Sequence, residues 1–321
     1  MAKFRDSELN ATVVETAEEA AQSAARAPAP PLGMTADGTV RPDRSIGDIL
    51  AELRHLTAEQ VERVLAHQKA NGVRFGEAAV ALGLASKDDV LFALAQQFHY
   101  PYAPEAGRAT SPELVALNEP FSPRAEYFRA LRTQVILRVF NGDAELRYGH
   151  SLAVLSQDGG DGKTYCAANL AVSLAQLGGK TLIVDANMRT PRLQEVFGIS
   201  NRAGLSGILS GRSDNQVIQQ VAGVPSLFVL PVGTIPPNPL ELLERPAFGL
   251  LMRELAAKFD YVVVDTPAAV SGSDANVVAA RCTAALLVAR KNTSRLSALQ
   301  DLAASLIGSP AKIAGVVINE R

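Results

Sequence analysis

The chain has 321 residues, of which 47% are hydrophobic and 20% charged, a length that allows about two domains. Its formal net charge of −2 argues against nucleic acid as an obligatory partner, because non-specific affinity for nucleic acid rests on excess lysine and arginine. The two cysteines predict neither a disulfide framework nor a metal site. No apolar run is long enough to span a membrane, and no secretion signal opens the chain. We therefore expect a cytoplasmic protein.

The first 40 residues are rich in alanine, glutamate, proline and small polar residues. Few large apolar side chains are available there to offset the entropy cost of ordering. We therefore expect residues 1–40 to form a disordered tail.

An internal repeat follows in the region 41–103, where residues 44–68 match residues 74–97 at a shift of 29. Each copy predicts a short helix, a turn, a threonine or serine N-cap and a second amphipathic helix. Two such helix pairs can bury their apolar faces against each other. The repeat therefore predicts a small all-α domain.

This repeat resembles the N-terminal domain of type II secretion and pilus assembly ATPases. Some members of that family bind cyclic-di-GMP through paired arginine, glycine and glutamine motifs. The comparable positions here are Arg44, Gly47, Gln68, Arg74, Gly76 and Gln97. The arginine stands three residues before glycine in the first copy and two before it in the second. Two hypotheses follow: a cyclic-di-GMP site, and a helical module that docks on a partner protein, which we favour because packing alone explains the repeat.

Residues 104–120 contain proline and glycine and are predicted to be a linker. Between 121 and 321, six apolar runs alternate with helical patterns: SLAVLS, KTLIVDA, SLFVLPVG, YVVVDTP, AALLVAR and IAGVVIN. This alternation predicts an α/β domain with a doubly wound, mainly parallel sheet. Such sheets bind ligands at the carboxyl ends of their strands.

The stretch GGDGKT, residues 159–164, stands between the first of these runs and an alanine-rich helical pattern. A glycine-rich loop at a helix N-terminus presents backbone N–H groups and the positive end of the helix dipole to a phosphate. Lys163 is predicted to reach the β- and γ-phosphates, and the Thr164 hydroxyl to ligate Mg²⁺. Gln157 stands where the general pattern GxxxxGK[ST] has glycine. The alternative is a plain glycine-rich turn between a strand and a helix.

Two aspartates decide between these alternatives. Asp185 closes the run TLIVD, and Asp265 closes the run YVVVD. A carboxylate that follows an apolar strand beside a phosphate loop typically binds Mg²⁺ or orients water in nucleotide-hydrolysing enzymes. The order of these residues favours a domain of the P-loop NTPase type.

Four segments carry a more specific resemblance: GGDGKT at 159–164, LIVDANMRTPR at 182–192, VVVDTPA at 262–268 and PPNPLELL at 236–243. They resemble the Walker A, A′ and B segments and a proline-rich segment of the bacterial tyrosine kinases that regulate exopolysaccharide export, in particular the EpsG-type chain-length-determinant kinases. The resemblance covers residues 120–321. It implies an ATP- and Mg²⁺-dependent protein tyrosine kinase.

The resemblance also implies roles for single residues. Lys163, Asp185 and Asp265 would be catalytic, with Asp185 helping to activate the tyrosine hydroxyl. Asn319 would contact adenine, and Thr164, Asp265 and Asn187 would hold the metal. The ATP-binding set would comprise Gly159, Gly160, Asp161, Gly162, Lys163, Thr164, Tyr165 and Asn319.

Assembly is implied as well. Glu126, Arg129 and Arg132 lie three residues apart in EYFRALR, hence on one helix face, and would dock that helix against a neighbouring subunit. The alternative is a solvated face with local ion pairs. A separate membrane polysaccharide co-polymerase or chain-length regulator would recruit the protein to the inner face of the membrane.

Two departures from the family pattern affect the predicted activity. Asn187 stands where the family has a second Walker A′ aspartate, which predicts a weaker Mg²⁺ site. A C-terminal tyrosine cluster is absent, since the tyrosines stand at 100, 102, 127, 148, 165 and 261. A weakly active or inactive ATP-binding adaptor, which gates the co-polymerase through its assembly state, is therefore an alternative. A partitioning ATPase is a third, although Asp158 replaces the lysine that those proteins carry.

Overall fold

The computed structural model describes residues 44–97, 110–140, 149–212 and 217–320. The predicted tail lies outside these residues, as does the predicted linker before residue 110. The chain forms two compact units. We call the described residues 44–97 the helical unit, and the described residues from 110 onward the α/β unit.

The helical unit repeats a pair of helices, one short and one longer. The helices are α1 (Ile46–Leu53), α2 (Ala58–Asn71), α3 (Phe75–Ala81) and α4 (Lys87–Gln97). The predicted caps form locally: the Thr57 hydroxyl accepts from the Gln60 backbone N–H at 3.3 Å, and the Ser86 hydroxyl accepts from that of Asp89 at 3.1 Å. Such side-chain caps satisfy the free N–H groups at a helix start.

The core of the helical unit is small and tightly packed. Leu50, Val64 and Ala93 are fully buried. A Cβ atom added at Gly76 would lie 2.6 Å from Val90 Cγ1, so the approach of α3 to α4 requires glycine there. At Gly47, the matching position of the first copy, an added Cβ would lie 3.5 Å from the Ser45 hydroxyl, an ordinary contact. The two repeat glycines therefore differ in their packing.

The α/β unit is built on one sheet of seven strands in the described residues, in the order β3-β4-β2-β5-β1-β6-β7. The strands are β1 (Ser151–Leu155), β2 (Thr181–Asp185), β3 (Gln219–Gln220), β4 (Leu227–Leu230), β5 (Tyr261–Asp265), β6 (Ala284–Arg290) and β7 (Lys312–Asn319). Every pairing is parallel except that of β3 with β4. The predicted α/β fold with a mainly parallel sheet of the P-loop NTPase type is confirmed. The short antiparallel β3 was not predicted.

Two helices of this unit precede β1 in the chain, and the others lie between strands. They are α5 (Val115–Asn118), α6 (Pro123–Val135), α7 (Lys163–Ala175), α8 (Leu193–Phe197), α9 (Leu205–Leu209), α10 (Pro239–Glu244), α11 (Pro246–Lys258), α12 (Asp274–Ala279) and α13 (Leu296–Ser305). A π-helical turn, Ile136–Phe140, extends α6. The central strands β1 and β2 are buried along their whole length, as expected for a parallel sheet covered on both faces.

The end of the predicted linker is packed rather than exposed. Leu114 and Leu117 have no exposed surface, and Val115 is 1% exposed. These apolar side chains explain the difference, because the segment SPELVALN carries enough of them to bury against the α/β unit. We call residues 110–118 the strap.

Candidate nucleotide and phosphotransfer site

A cleft of about 470 Å³ lies at the carboxyl end of the parallel sheet. Its walls come from the segments that follow β1, β2 and β5, from the last residues of β6 and β7, and from Glu113 of the strap. This is the position at which open parallel sheets bind their ligands.

The loop between β1 and α7 forms one wall of the cleft. Gly160 and Gly162 have φ angles of +85° and +98°, which favour glycine. A Cβ atom at Gly162 would also collide with the amide of Asn319. Gly159 and Gly160 are exposed in the cleft, and α7 begins directly after Gly162. The local chain thus forms the phosphate loop that the sequence predicts.

Lys163 lies at the start of α7 and is 7% exposed. Its Nζ donates to Ser156 Oγ at 3.0 Å and to the Asp158 carbonyl oxygen at 3.4 Å. Burial lowers the pKa of Lys163, while the charge of Asp265 opposes that shift. The ammonium group is thereby held inside the loop, where it can meet a phosphate.

Asp161 ties the phosphate loop together. Its carboxylate accepts from the Asp158 backbone N–H at 3.1 Å and from Ser294 Oγ at 2.9 Å. The Asp161 carbonyl oxygen accepts from Asn319 Nδ2 at 3.0 Å. The predicted adenine contact, Asn319, therefore braces the loop and also lines the cleft. Sequence reasoning missed Ser294, which lies 133 residues from its partner.

Thr164 and Asp265 form the best candidate metal site. Thr164 Oγ1 donates to Asp265 Oδ2 at 2.6 Å. Asp265 is fully buried, and its Oδ1 finds no hydrogen-bond partner among the described residues. A buried carboxylate oxygen without a partner is costly and calls for a ligand. Mg²⁺ is commonly held by one or two protein oxygens together with phosphates, so these two residues fit it.

Asp185 lies beside Asp265, since the two residues are register partners on β2 and β5. Its carboxylate accepts from the backbone N–H groups of Asn187, Arg192 and Leu193 at 3.0–3.2 Å. Burial, and next the charge of Asp265, raise the pKa of Asp185. Burial likewise raises the pKa of Asp265, against the Thr164 hydrogen bond.

The Asn187 side chain is engaged within its own loop. Its Nδ2 donates to the Thr190 carbonyl oxygen at 2.9 Å, and its Oδ1 accepts from the Thr190 backbone N–H at 3.1 Å. Both ends of the amide brace residues 187–190, and the residue also lines the cleft. Its role as a metal ligand stays a prediction.

Two ion pairs of the Walker A′ loop were missed by sequence reasoning. Arg189 binds both oxygens of the buried Asp274 at 2.9–3.3 Å. Arg192 Nη2 lies 3.2 Å from Glu113 Oε2. Each acid lies 79 or more residues from its arginine, so no local sequence pattern could pair them.

Charge in the cleft favours an anionic ligand. Its cationic lining residues are Lys163, Arg189, Arg192 and Arg290. Tyr165 completes the predicted set: it lines the cleft and packs edge-on against Phe128, with ring centroids 5.5 Å apart.

The predicted docking residues on α6 make contacts within their own chain. Arg129 Nε donates to Glu126 Oε2 at 2.7 Å, and its Nη2 donates to the Pro120 carbonyl oxygen at 2.7 Å. Arg132 Nη1 donates to the Ser173 carbonyl oxygen at 3.0 Å. The Glu126 side chain is 67% exposed. The local ion pair of the alternative hypothesis is present, and the intersubunit role stays a prediction.

The predicted cyclic-di-GMP residues lie in the helical unit. Arg44 forms an ion pair with Glu52, and Arg74 is exposed. Gln68 and Gln97 are half-buried, and the backbone of Gly76 is buried next to the Val90 side chain. Packing within the helical unit thus accounts for Gly76, and both docking on a partner and cyclic-di-GMP binding stay predictions. No helix in the described part of the chain is long and apolar enough to cross a bilayer.

Comparison with known proteins decides the family. A family model described as an AAA domain matches residues 149–290. The putative tyrosine-protein kinase CapB of Staphylococcus aureus is 31% identical over 213 residues, which are 66% of this chain and 91% of CapB. The kinase domain of the Escherichia coli tyrosine kinase ETK has a TM-score of 0.61 and 30% identity, covering 66% of this chain and 81% of that one. This chain belongs to the bacterial tyrosine kinases.

A further relative, the tyrosine-protein kinase CpsD of Streptococcus agalactiae, is 33% identical over 196 residues, which are 61% of this chain and 82% of CpsD. The predicted resemblance to the tyrosine kinases of exopolysaccharide biosynthesis is therefore confirmed. For this tyrosine kinase, family membership implies nucleotide binding, and the cleft lined by the phosphate loop is the candidate site.

Proposed function

We propose that this tyrosine kinase transfers the γ-phosphoryl group of ATP to protein tyrosine, and thereby regulates the chain length or export of an exopolysaccharide. The observation that carries the proposal is the unpartnered Oδ1 of Asp265, which is buried next to Thr164 and Lys163, two residues that line the cleft. A fully buried carboxylate oxygen without a hydrogen-bond partner does not stabilise the fold, so it favours a role in ligand binding.

ATP binding is assigned to the phosphate loop. The backbone N–H groups of residues 159–164 would hold the phosphates at the start of α7. Lys163 would neutralise the β- and γ-phosphates, at the cost of its bonds to Ser156 and Asp158. Asn319 would meet adenine at the far end of the cleft.

Thr164 and Asp265 are the proposed holders of Mg²⁺, with Asn187 as a further candidate. When bound, Mg²⁺ would neutralise charge on the phosphate oxygens during transfer. The protein's own part is to position the reactants and to present fixed positive charge, which is the main source of catalysis in phosphoryl transfer.

Transfer would proceed by attack of the tyrosine oxygen on the γ-phosphorus. The bond from the γ-phosphorus to the bridging oxygen breaks, and ADP leaves with that electron pair. Asp185 is the proposed acceptor of the phenolic proton. Three backbone N–H groups fix its carboxylate, and the raised pKa of Asp185 suits a general base.

The proposed partner is a membrane polysaccharide co-polymerase or chain-length regulator, supplied as a separate protein. It would recruit the kinase from the cytoplasm to the inner face of the membrane. A homo-oligomer built through α6 would place the tyrosines of one subunit near the cleft of the next. The helical unit would dock on a further partner, with cyclic-di-GMP as its alternative ligand.

Asn187 favours a second candidate function. Its amide stands where the family has a carboxylate, and its contacts with Thr190 occupy both ends of that amide. A site with one metal carboxylate fewer could bind Mg²⁺–ATP and change assembly state without transferring phosphate. The chain would then act as an ATP-sensing adaptor of the co-polymerase.

Incubation with ATP labelled on the γ-phosphate separates the two functions. We expect label on protein tyrosine, rising when a cytoplasmic segment of the co-polymerase is added, and no label with Asp265→Asn. Binding of Mg²⁺–ATP without transfer under both conditions would contradict the kinase and support the adaptor.

A further inference from the structure

The strap is fastened to the phosphate-loop helix. Asn169 on α7 is fully buried, and its Oδ1 accepts from the Ala116 backbone N–H at 2.9 Å. Its Nδ2 donates to the carbonyl oxygens of Glu113 and Tyr165, each at 2.9 Å. Gln176 Nε2 donates to the Ala116 carbonyl oxygen at 2.9 Å. Because buried amides of this kind are costly to leave unpaired, these hydrogen bonds hold the strap against α7.

The strap also reaches the Walker A′ side of the cleft. The Ser111 backbone N–H donates to the Val196 carbonyl oxygen at 2.9 Å on α8. The Glu113 carboxylate, which lines the cleft, pairs with Arg192 at 3.2 Å. The strap therefore bridges the two loops between which a nucleotide would bind.

Arg192 connects this bridge to Asp185. The backbone N–H groups of Arg192 and of its neighbour Leu193 both donate to Asp185 Oδ2, at 3.2 and 3.1 Å. The side chain of Arg192 is thus held by Glu113, while its backbone holds the proposed general base. A shift of Arg192 would move the two donors that fix one oxygen of that base.

We propose that Glu113 is a positioning residue for phosphotransfer, which acts through Arg192 to hold Asp185 in its reactive orientation. The proposal rests on the proposed kinase function. The side chains of Arg192 and Glu113 are 51% and 30% exposed, so the pair is a minor contributor to fold stability. The buried contacts of Leu114 and Asn169 hold the strap in place. The partly exposed Glu113–Arg192 pair positions the loop that contains Arg192.

Glu113→Gln in the full chain tests the proposal. We expect exchange of the Arg192 and Leu193 amide hydrogens to become about fivefold faster, the upper effect of a partly exposed ion pair. We also expect kcat to fall by a similar factor while KM for ATP stays within about twofold, because the change affects the base rather than the phosphate loop. The charge exchange Glu113→Arg with Arg192→Glu should restore both.

Glu119→Gln is the matched control. Glu119 pairs with Arg124 at 3.2 Å, with the two side chains 45% and 56% exposed, and neither residue lines the cleft. This variant should leave amide exchange and kcat unchanged.

Unchanged amide exchange in Glu113→Gln, an equal rise in Glu119→Gln, or a charge exchange that restores nothing would each overturn the proposal. A wild type that binds Mg²⁺–ATP without phosphorylating tyrosine would instead overturn the kinase function. Amide exchange would still report on the positioning role in that case.

Discussion

Lys163 is the residue whose removal tests the nucleotide site most directly. Lys163→Ala deletes the buried cation of the phosphate loop, so ATP affinity should fall at least about tenfold, or about 1.4 kcal/mol. Calorimetric titration with Mg²⁺–ATP measures this. Lys258→Ala is the control, since Lys258 lies on α11 and pairs with Glu254. Equal affinities for wild type and Lys163→Ala would contradict the assignment.

Asp265 should show opposite effects on activity and on stability. Asp265→Asn keeps an oxygen for the Thr164 hydroxyl but removes the buried charge. Phosphotransfer should be lost, while the free energy of unfolding should rise by about 1–3 kcal/mol, because the change removes a charge that burial disfavours and that also raises the pKa of Asp185. Thermal unfolding without nucleotide measures the second effect. A clear loss of stability would mean that Asp265 is mainly a structural residue.

For single residues, the sequence predicts the functional positions in the glycine-rich loop and at the ends of strands. Lys163, Thr164 and Asp265 lie together because short motifs and parallel strands fix their positions. Their long-range partners, such as Ser294 and Glu113, leave no local signal because the fold alone brings them in. The same limit explains why the contact of Asn319 with Asp161 was not foreseen.

Helix packing in the repeat gives a test at the scale of elements. Gly76→Ala should destabilise the helical unit by about 1–3 kcal/mol, the typical cost of overpacking, because its Cβ would lie 2.6 Å from Val90. Gly47→Ala meets only ordinary contacts and should be neutral or stabilising by up to about 1 kcal/mol. Thermal unfolding of both variants measures the difference.

This pair also separates packing from ligand recognition. If both glycines served a cyclic-di-GMP site, both alanine variants should weaken cyclic-di-GMP binding to a similar extent. A fold that tolerates Gly76→Ala as well as Gly47→Ala would contradict the packing explanation.

Strands were predictable from the sequence where the runs of apolar residues were long enough. All six apolar runs became strands, because a five-residue hydrophobic run between polar loops has few other ways to be buried. The strand Gln219–Gln220 has two residues and no apolar side chain, so only its pairing with β4 reveals it. The strap was not predicted, because Pro104 and Gly107 directly before it favoured a linker.

For the whole molecule, Glu126 is the best probe of assembly. Arg129 and Arg132 bind carbonyl oxygens of their own chain, so changing them would disturb the fold as well as an interface. Glu126→Arg reverses the most exposed charge of the motif and should dissociate an oligomer into monomers, as measured by light scattering.

Glu254→Arg is the control for this change. Glu254 also pairs with a cation on its own helix, and its side chain is 34% exposed. A mass unchanged by Glu126→Arg, or lowered equally by Glu254→Arg, would favour a solvated surface with local ion pairs.

The strand order has a consequence for synthesis of the chain. Among the described strands, β1 pairs only with β5 and β6, yet β1 ends at residue 155 and β5 begins at residue 261. At translation rates of about 5–20 residues per second, synthesis of β5 would begin on the order of 5–20 s after that of β1 is complete, and β1 would lack a paired strand until then. During that interval the nascent chain exposes an unpaired hydrophobic strand, so its yield in cells should depend on ribosome-associated chaperones.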